Sequence, residues 1–560
     1  MPDLEIEKPK RIVPSKKSEI IKLDSDEKKQ SKKKAVKKEP VVKEEKKIYS
    51  TYEDYPIEDL LLYAGVDTYA TSRVFAKMMP KLVDRPTYLV QTNTGSKVST
   101  KAKAILDVYE ESSREIFDLI ADLECEGIHY DQTENRRLDV SMKQEVKELE
   151  ESIFTSIGKR INLDSSIDVP NLLYNELGFT PPYETKGGLD AADNGAILIL
   201  AGLDPMSPGK YISPNPEHQF LANMAKRKNL VAVHRGFIET YIDDYVKRDG
   251  RVHAKYLQGG TSTFRLSSQE PNLQNIPRAF GVKACFGVED GNIFLAADYS
   301  SAEIKLLSAI CADENMLRAV REGLDFHSYA AANMYGIPYQ EFISVIEDKS
   351  NPLFKQYKQY RQNSKALGFG ILYGSSAGGI AKNLNISIED ANRLINMYFT
   401  SFPKLKEYIE KTHFAAIANQ FVTTPFGHRR NFYGTQQVFK KTAAYNAALR
   451  GSQNYVIQSS TAIIGLLSFA MINKEIKKLG GKCIATVHDS LEAEIPQEKA
   501  AEAAEVFFYY MNDWPQQTFD WLGLCIGSET EVGLNWQSTE IIHRNVTQEA
   551  INNIMFKLKA

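Results

Sequence analysis

Cysteine, long apolar runs and, at one end, aromatic residues are all scarce in this chain. Five cysteines (Cys125, Cys285, Cys311, Cys483 and Cys525) are spread through 560 residues, odd in number and without a C-x-x-C pair. That spacing excludes a disulfide framework or zinc ribbon and predicts buried thiols in a reducing cytoplasm. No apolar run approaches the roughly 18 residues that cross a bilayer, so neither a transmembrane segment nor a membrane partner is expected. No signal peptide is expected either, because Leu4, Ile6, Ile12 and Val13 are scattered among charges. Residues 1–48 contain no aromatic side chain, the first being Tyr49. Such a piece cannot bury enough surface to offset the entropy of ordering, and it is predicted to be a disordered Lys-rich tail or linker. It holds 16 Lys/Arg against 10 Asp/Glu, so the formal net charge of −3 averages a basic tail with an acidic body.

The body has material for real cores, with 43% apolar residues, 26 Phe and 28 Tyr. Apolar positions recur at helical spacing over 55–79, 101–124, 136–158 and 217–247, with a polar connection around Gly95 and a loop-rich stretch over 159–215. The 217–247 run carries Lys226, Arg227, Lys228, His234 and Arg235, either as a phosphate-facing surface or as an ordinary solvated face. Two runs differ: NIFLAADYSS from 292 reads as a buried strand ending in Asp298, and CIATVHDSLEAEI (483–495) as two strands around His488-Asp489-Ser490. The roughly 190 residues between them are mostly helical in pattern.

Three groups of residues carry chemistry. Asp298 and Asp489 each sit where an apolar strand meets a polar turn, a place a carboxylate avoids without a partner. Brought together, they suit a pair of Mg2+ ions in phosphoryl transfer; the alternative is a pair of ordinary turn acids. In RQNSKALGFGILYG, Arg361, Lys365, Phe369 and Tyr373 recur every fourth residue and share one helical stripe. Two cations followed by two rings suit a polyphosphate and a nucleobase; the alternative is a basic edge beside a core edge. Gly368, Gly370 and Gly374 in the same segment suggest close approach of something bulky. The polar run TSTFRLSSQEPNLQNIPR offers Arg265, Asn272, Gln274 and Asn275 for phosphates and groove edges, or forms a plain loop.

In their order, these segments resemble the family A DNA polymerases, of the DNA polymerase I type, over roughly residues 105–540. DYSSAEIKLLS is similar to the family's first palm motif, RQNSKALGFGILYG to its fingers helix and TVHDS to its second palm acid. RLSSQEPNLQNIP and LRGSQNYVIQSS resemble segments that contact template and primer. The resemblance implies a mixed α/β (α+β) right-hand fold with an antiparallel-sheet palm, helical fingers and a helical thumb. It also implies DNA-directed synthesis from dNTPs on primer-template DNA, in replication or repair. Asp298 and Asp489 would bind two Mg2+ and, with Lys365, be the catalytic residues. Arg361, Lys365, Phe369, Tyr373, Glu303 and His327 would hold the dNTP, Glu303 and Tyr373 crowding the ribose 2′ position. Arg265, Asn272, Gln274, Arg450, Asn454, Gln458 and His488 would hold the duplex. The implied parts are a tail at 1–48, the end of a 3′–5′ exonuclease domain at 49–95, palm base and thumb at 96–264, palm at 265–310, fingers at 311–434 and palm again at 435–560.

Departures from the pattern are informative. Ser490 stands where the family commonly has Glu, Ser459, Ser460 and Thr461 replace a more usual Gly-Thr-Ala-like run, and Gly368 replaces a larger polar residue. These substitutions suggest a divergent branch, of phage type or otherwise. YPIEDLLLYAGVD resembles the last exonuclease motif, with Tyr63 and Asp67 as vestigial acid-site residues, while its upstream partners would precede Met1. The expectation is no proofreading by this chain alone, a separate exonuclease chain being a conceivable partner. A catalytically inactive DNA-binding module and a single-subunit RNA polymerase are the competing readings. The retained acid pair opposes the first, and Glu303 the second. Bacterial or phage-infected host cytoplasm is the expected location.

Overall fold

The computed structural model describes residues 68–80, 86–94, 97–185, 187–203, 219–434 and 442–559. The predicted basic tail, Tyr63 and Asp67 lie outside them. The chain divides into two compact units, Met1–Ala76 and Lys77–Ala560. In the first, residues 68–76 are helical, in keeping with the end of the predicted 55–79 helix. Everything below concerns the second unit.

Its centre is a five-stranded antiparallel sheet of β1 (Asn292–Tyr299), β2 (Lys482–Val487), β3 (Ser490–Pro496), β4 (Ser528–Gly533) and β5 (Thr539–Ile542), in the order β2-β3-β1-β4-β5. The predicted strand from 292 and the pair over 483–495 are therefore present and adjacent. Ile293, Phe294 and Leu295 are fully buried because protein covers both faces of the central strand, which explains an apolar run without alternation. Acids appear only where β1 runs out.

Two helices, α1 (Gln132–Ile157) and α2 (Gln219–Val233), pair at one side, and Asp131 caps α1 by accepting from the Thr133 and Glu134 amides. Of the cations in the 217–247 run, Arg227 and His234 are buried while Lys226 and Arg235 are exposed. Arg227 is buried and paired with Glu150 and Asp164, Lys226 pairs with Glu145 at 2.6 Å, and His234 bonds Asp139 at 2.7 Å. These pairs tie α2 and the residues after it to their surroundings. Residues 97–104, the start of which was expected to be loop and helix, form a hairpin with 86–94. Short helices punctuate the loop-rich 159–215 stretch at Asp168–Glu176 and Asn194–Leu200.

The helical insertion between β1 and β2 holds α3 (Ala302–Cys311), α4 (Phe326–Tyr335) and α5 (Phe354–Leu372), around a second apolar core that includes Leu367, Ile371 and Tyr398. α6 (Ala443–Lys478) returns the chain to the palm-like sheet and is about 54 Å long at 1.5 Å per residue. Among the described residues it alone is long and apolar enough to cross a membrane, and 89% of its apolar window is buried within the protein. Tyr299 fixes it to β1, donating to Ser468 Oγ at 2.9 Å and stacking on Phe469. All five cysteines are free, as expected, but Cys125 and Cys525 are exposed rather than buried.

Candidate active site

Asp298 ends β1, directly across from Ser490 on β3, the residue that follows Asp489. The Tyr299 amide donates to the Asp489 carbonyl at 3.3 Å, bringing the two acids to one edge of the sheet. His488 makes this turn possible by adopting φ +57°, an uncommon conformation for a residue with a side chain. Asp298 keeps a solvent-facing side but is otherwise ringed by protein. Burial, then the nearby charge of Asp489, pushes its carboxyl up to about 6. A pair of hard-oxygen donors in which the charge of one raises the proton affinity of the other is an arrangement a divalent cation relieves, so these residues fit Mg2+.

Arg265 bridges the acids to the next part of the site. Its Nη2 donates to Asp489 Oδ2 at 3.2 Å and to Glu303 Oε1 at 3.0 Å. Glu303, in the first turn of α3, accepts from Tyr373 Oη at 2.8 Å. Tyr373, just beyond α5, is 41% exposed, and its phenol is pushed up to about 12 by burial and the Glu303 charge. Gly374 follows at φ +69°, where a Cβ would meet Arg450 Cγ at 2.5 Å. This contact joins the end of α5 to α6 and explains the glycine by close approach of backbone, as its segment suggested.

The predicted stripe of α5 is present. Phe369 and Tyr373 lie nearly parallel, with centroids 6.3 Å apart, and Phe369 packs against His327. Lys365 is exposed, with no ion pair among the described residues. Arg361 instead donates to Asp325 at 2.7 and 3.2 Å, at the start of α4. Burial pushes the His327 imidazole down to about 4, so it is neutral near pH 7, and its Nδ1 lacks a hydrogen-bond partner.

The duplex candidates fall into two groups. Arg265, Gln274, His488 and Asp489 line one small cleft beside α6. Asn272 caps a short helical turn by accepting from the Gln274 amide, and Gln274 Nε2 donates to the Leu266 carbonyl, so both also shape their own loop. Arg450, Asn454 and Gln458 recur on one stripe of α6: Arg450 is exposed, Asn454 keeps a buried Oδ1 without a partner, and Gln458 lies near the Tyr373 phenol.

Four polar residues escaped sequence reasoning. Asp325 holds Arg361, Gln453 donates to the Ile371 and Leu372 carbonyls, and Glu529 faces Asp298 across β4. Glu492 is 2% exposed on β3. Only Glu492 left a trace, as one of the two acids, with Glu494, in the strand SLEAEIP.

An acid-edged antiparallel sheet with a helical insertion whose long helix carries Arg361, Lys365 and Phe369 on one stripe defines a palm-and-fingers polymerase fold. The chain belongs to DNA polymerase family A, whose model matches residues 132–538. It is 31% identical to a thermostable DNA polymerase I of Thermus filiformis over 445 residues, which are 78% of this chain and 49% of that protein. DNA polymerase I of Chloroflexus aurantiacus is 28% identical over 493 residues, covering 87% of this chain and 47% of its own. The chain thus spans about half the length of these curated relatives. Among solved structures, the POL domain of Pol1 from M. smegmatis, in complex with DNA primer-template and dNTP, has a TM-score of 0.63 at 25% identity, covering 77% of this chain and 71% of that one.

Proposed function

We propose that this chain is a DNA-directed DNA polymerase that extends a primer 3′ end with dNTPs, with Asp298 and Asp489 holding two Mg2+. The observation that carries this reading is that Asp298 and Asp489 share one edge of the sheet, where Arg265 links Asp489 to Glu303 and Tyr373. Bound there, Mg2+ would supply Lewis acidity to the attacking hydroxyl and the departing phosphates. In this reading the sheet with α6 is the palm, the insertion from 311 to 434 the fingers, and α1 with α2 belongs to the thumb.

The chain's own residues bind and orient. Lys365 is available to the triphosphate, and Arg361 joins it once its bond to Asp325 is exchanged for phosphate. Neutral His327 offers a ring N–H without adding charge. Phe369 and Tyr373 present ring faces to the base and sugar, while Glu303 and Tyr373 together leave no room for a ribose 2′ hydroxyl. Arg265 and Gln274 with His488, and Arg450, Asn454 and Gln458 on α6, flank the place where a primer end would reach Asp298 and Asp489. Asn272 supports that loop. Primer extension with Mg2+ and dNTPs tests the proposal: Asp298→Ala and Asp489→Ala should each abolish product, and normal extension by either variant would overturn it.

A further inference from the structure

Glu492 is buried in the palm with one carboxyl oxygen, Oε2, lacking any hydrogen-bond partner. Burying a carboxyl without full pairing weakens a fold, so its presence here, unlike that of Glu494, which Arg251 and Asn292 satisfy, calls for a compensating role. Its Oε1 lies 2.5 Å from Ser490 Oγ, while Ser490 Oγ donates to the Val487 carbonyl at 3.0 Å. A serine hydroxyl has a single hydrogen. Both contacts are satisfied together when Ser490 gives its hydrogen to Val487 and Glu492, as the neutral acid, donates to Ser490 Oγ. Burial favours that neutral form, pushing the Glu492 carboxyl up to about 8.

The chain Glu492–Ser490–Val487 brackets the turn that contains only His488 and Asp489. Val487 closes β2, Ser490 opens β3, and the turn between them carries the φ +57° of His488. Ser490 is also the residue directly opposite Asp298, while Glu492 lies opposite Ala296 on the same face of the sheet. Where relatives commonly place a Glu at position 490, this chain has a hydroxyl there and an acid two residues farther along.

We propose that Glu492 is a positioning residue for the metal centre, donating a hydrogen bond to Ser490 Oγ and thereby fixing the turn that aims the Asp489 carboxylate. The inference rests on the reading of Asp298 and Asp489 as cation ligands. It assigns a function to a side chain that would otherwise only destabilise the palm.

Direct Mn2+ binding to the full, DNA-free chain tests it, followed by electron paramagnetic resonance alongside thermal melting. Glu492→Val should raise Tm, by removing the incompletely paired carboxyl, yet weaken Mn2+ binding about tenfold, the scale seen when groups supporting metal ligands are lost. Glu492→Gln keeps a donor to Ser490 and should bind Mn2+ within about twofold of the parent. Ser490→Ala should lose affinity as Glu492→Val does, which covers the case of a poorly folding Val variant. Unchanged affinity in Glu492→Val or in Ser490→Ala, or equal loss in Glu492→Gln, overturns the inference. If Asp298→Asn combined with Asp489→Asn leaves Mn2+ binding intact, the underlying assignment of the cation ligands fails instead.

Discussion

Tyr373 Oη donates to Glu303 Oε2 at 2.8 Å, joining the residue just beyond α5 to the first turn of α3. The pair walls off space beside the proposed nucleotide pocket with a phenol and a carboxylate that hold each other in place. Glu303→Ala should lower discrimination against ribonucleotides by about tenfold, or ~1.4 kcal/mol. Steady-state incorporation of matched dNTP and rNTP measures this, and an unchanged ratio removes Glu303 from sugar selection.

Arg265 neutralises Asp489 at 3.2 Å in the chain without DNA. It therefore competes with any cation arriving at the same carboxylate. Arg265→Gln should tighten Mn2+ binding to the DNA-free chain about fivefold, a partly exposed ion pair contributing up to ~1 kcal/mol. Calorimetry checks the direction; weaker binding would show that Arg265 organises the acids rather than competing for them.

Asp298 carries a pH signature with a definite sign. Its carboxyl is raised from 3.8 to about 6, so the folded chain retains a proton that the unfolded chain releases between those values. The stabilising contribution is full below pH 3.8 and is lost as pH rises through 6. Asp298→Asn should therefore raise Tm at pH 8, with the gain shrinking toward pH 4. Melting curves across that range settle it, and a gain independent of pH would count against a raised Asp298.

Gly374 allows α5 to end against Arg450. Adding a Cβ at φ +69° and 2.5 Å from Arg450 Cγ should destabilise the chain by about 1–3 kcal/mol. Denaturant unfolding of Gly374→Ala provides the number, and wild-type stability would mean that the contact yields freely.

Legibility followed sequence distance. The strand ending in Asp298, the turn carrying Asp489 and the stripe of α5 were all readable because each is local: an apolar run meeting an acid, or a fourfold spacing. The hairpin of 86–94 with 97–104 was not readable. Its strand from 97 pairs with a segment whose pattern gives no comparable signal, and pairing overrode local preference. The pairing of the α2 cations was illegible for the same reason, since their acids Glu145 and Glu150 lie on α1, about 80 residues away. The Arg361–Asp325 pair and the bond from Gln453 to the end of α5 likewise join positions far apart in the chain.

The bond from Gln453 has a mechanical corollary. Its amide binds the Ile371 and Leu372 carbonyls, its Oε1 is held at 2.8 Å from His413 Nε2, and Arg450 crowds Gly374 one turn away. The C-terminal end of α5 is thus a pinned fulcrum on α6, and Arg361 is the far tip of a lever twelve residues, or roughly 18 Å, long. A tilt of about 10° would carry Arg361 some ~3 Å while leaving Tyr373 nearly still. Under the proposed function, the cations assigned to the phosphates would travel once Arg361 leaves Asp325, while the ring assigned to the sugar would stay as the fixed reference.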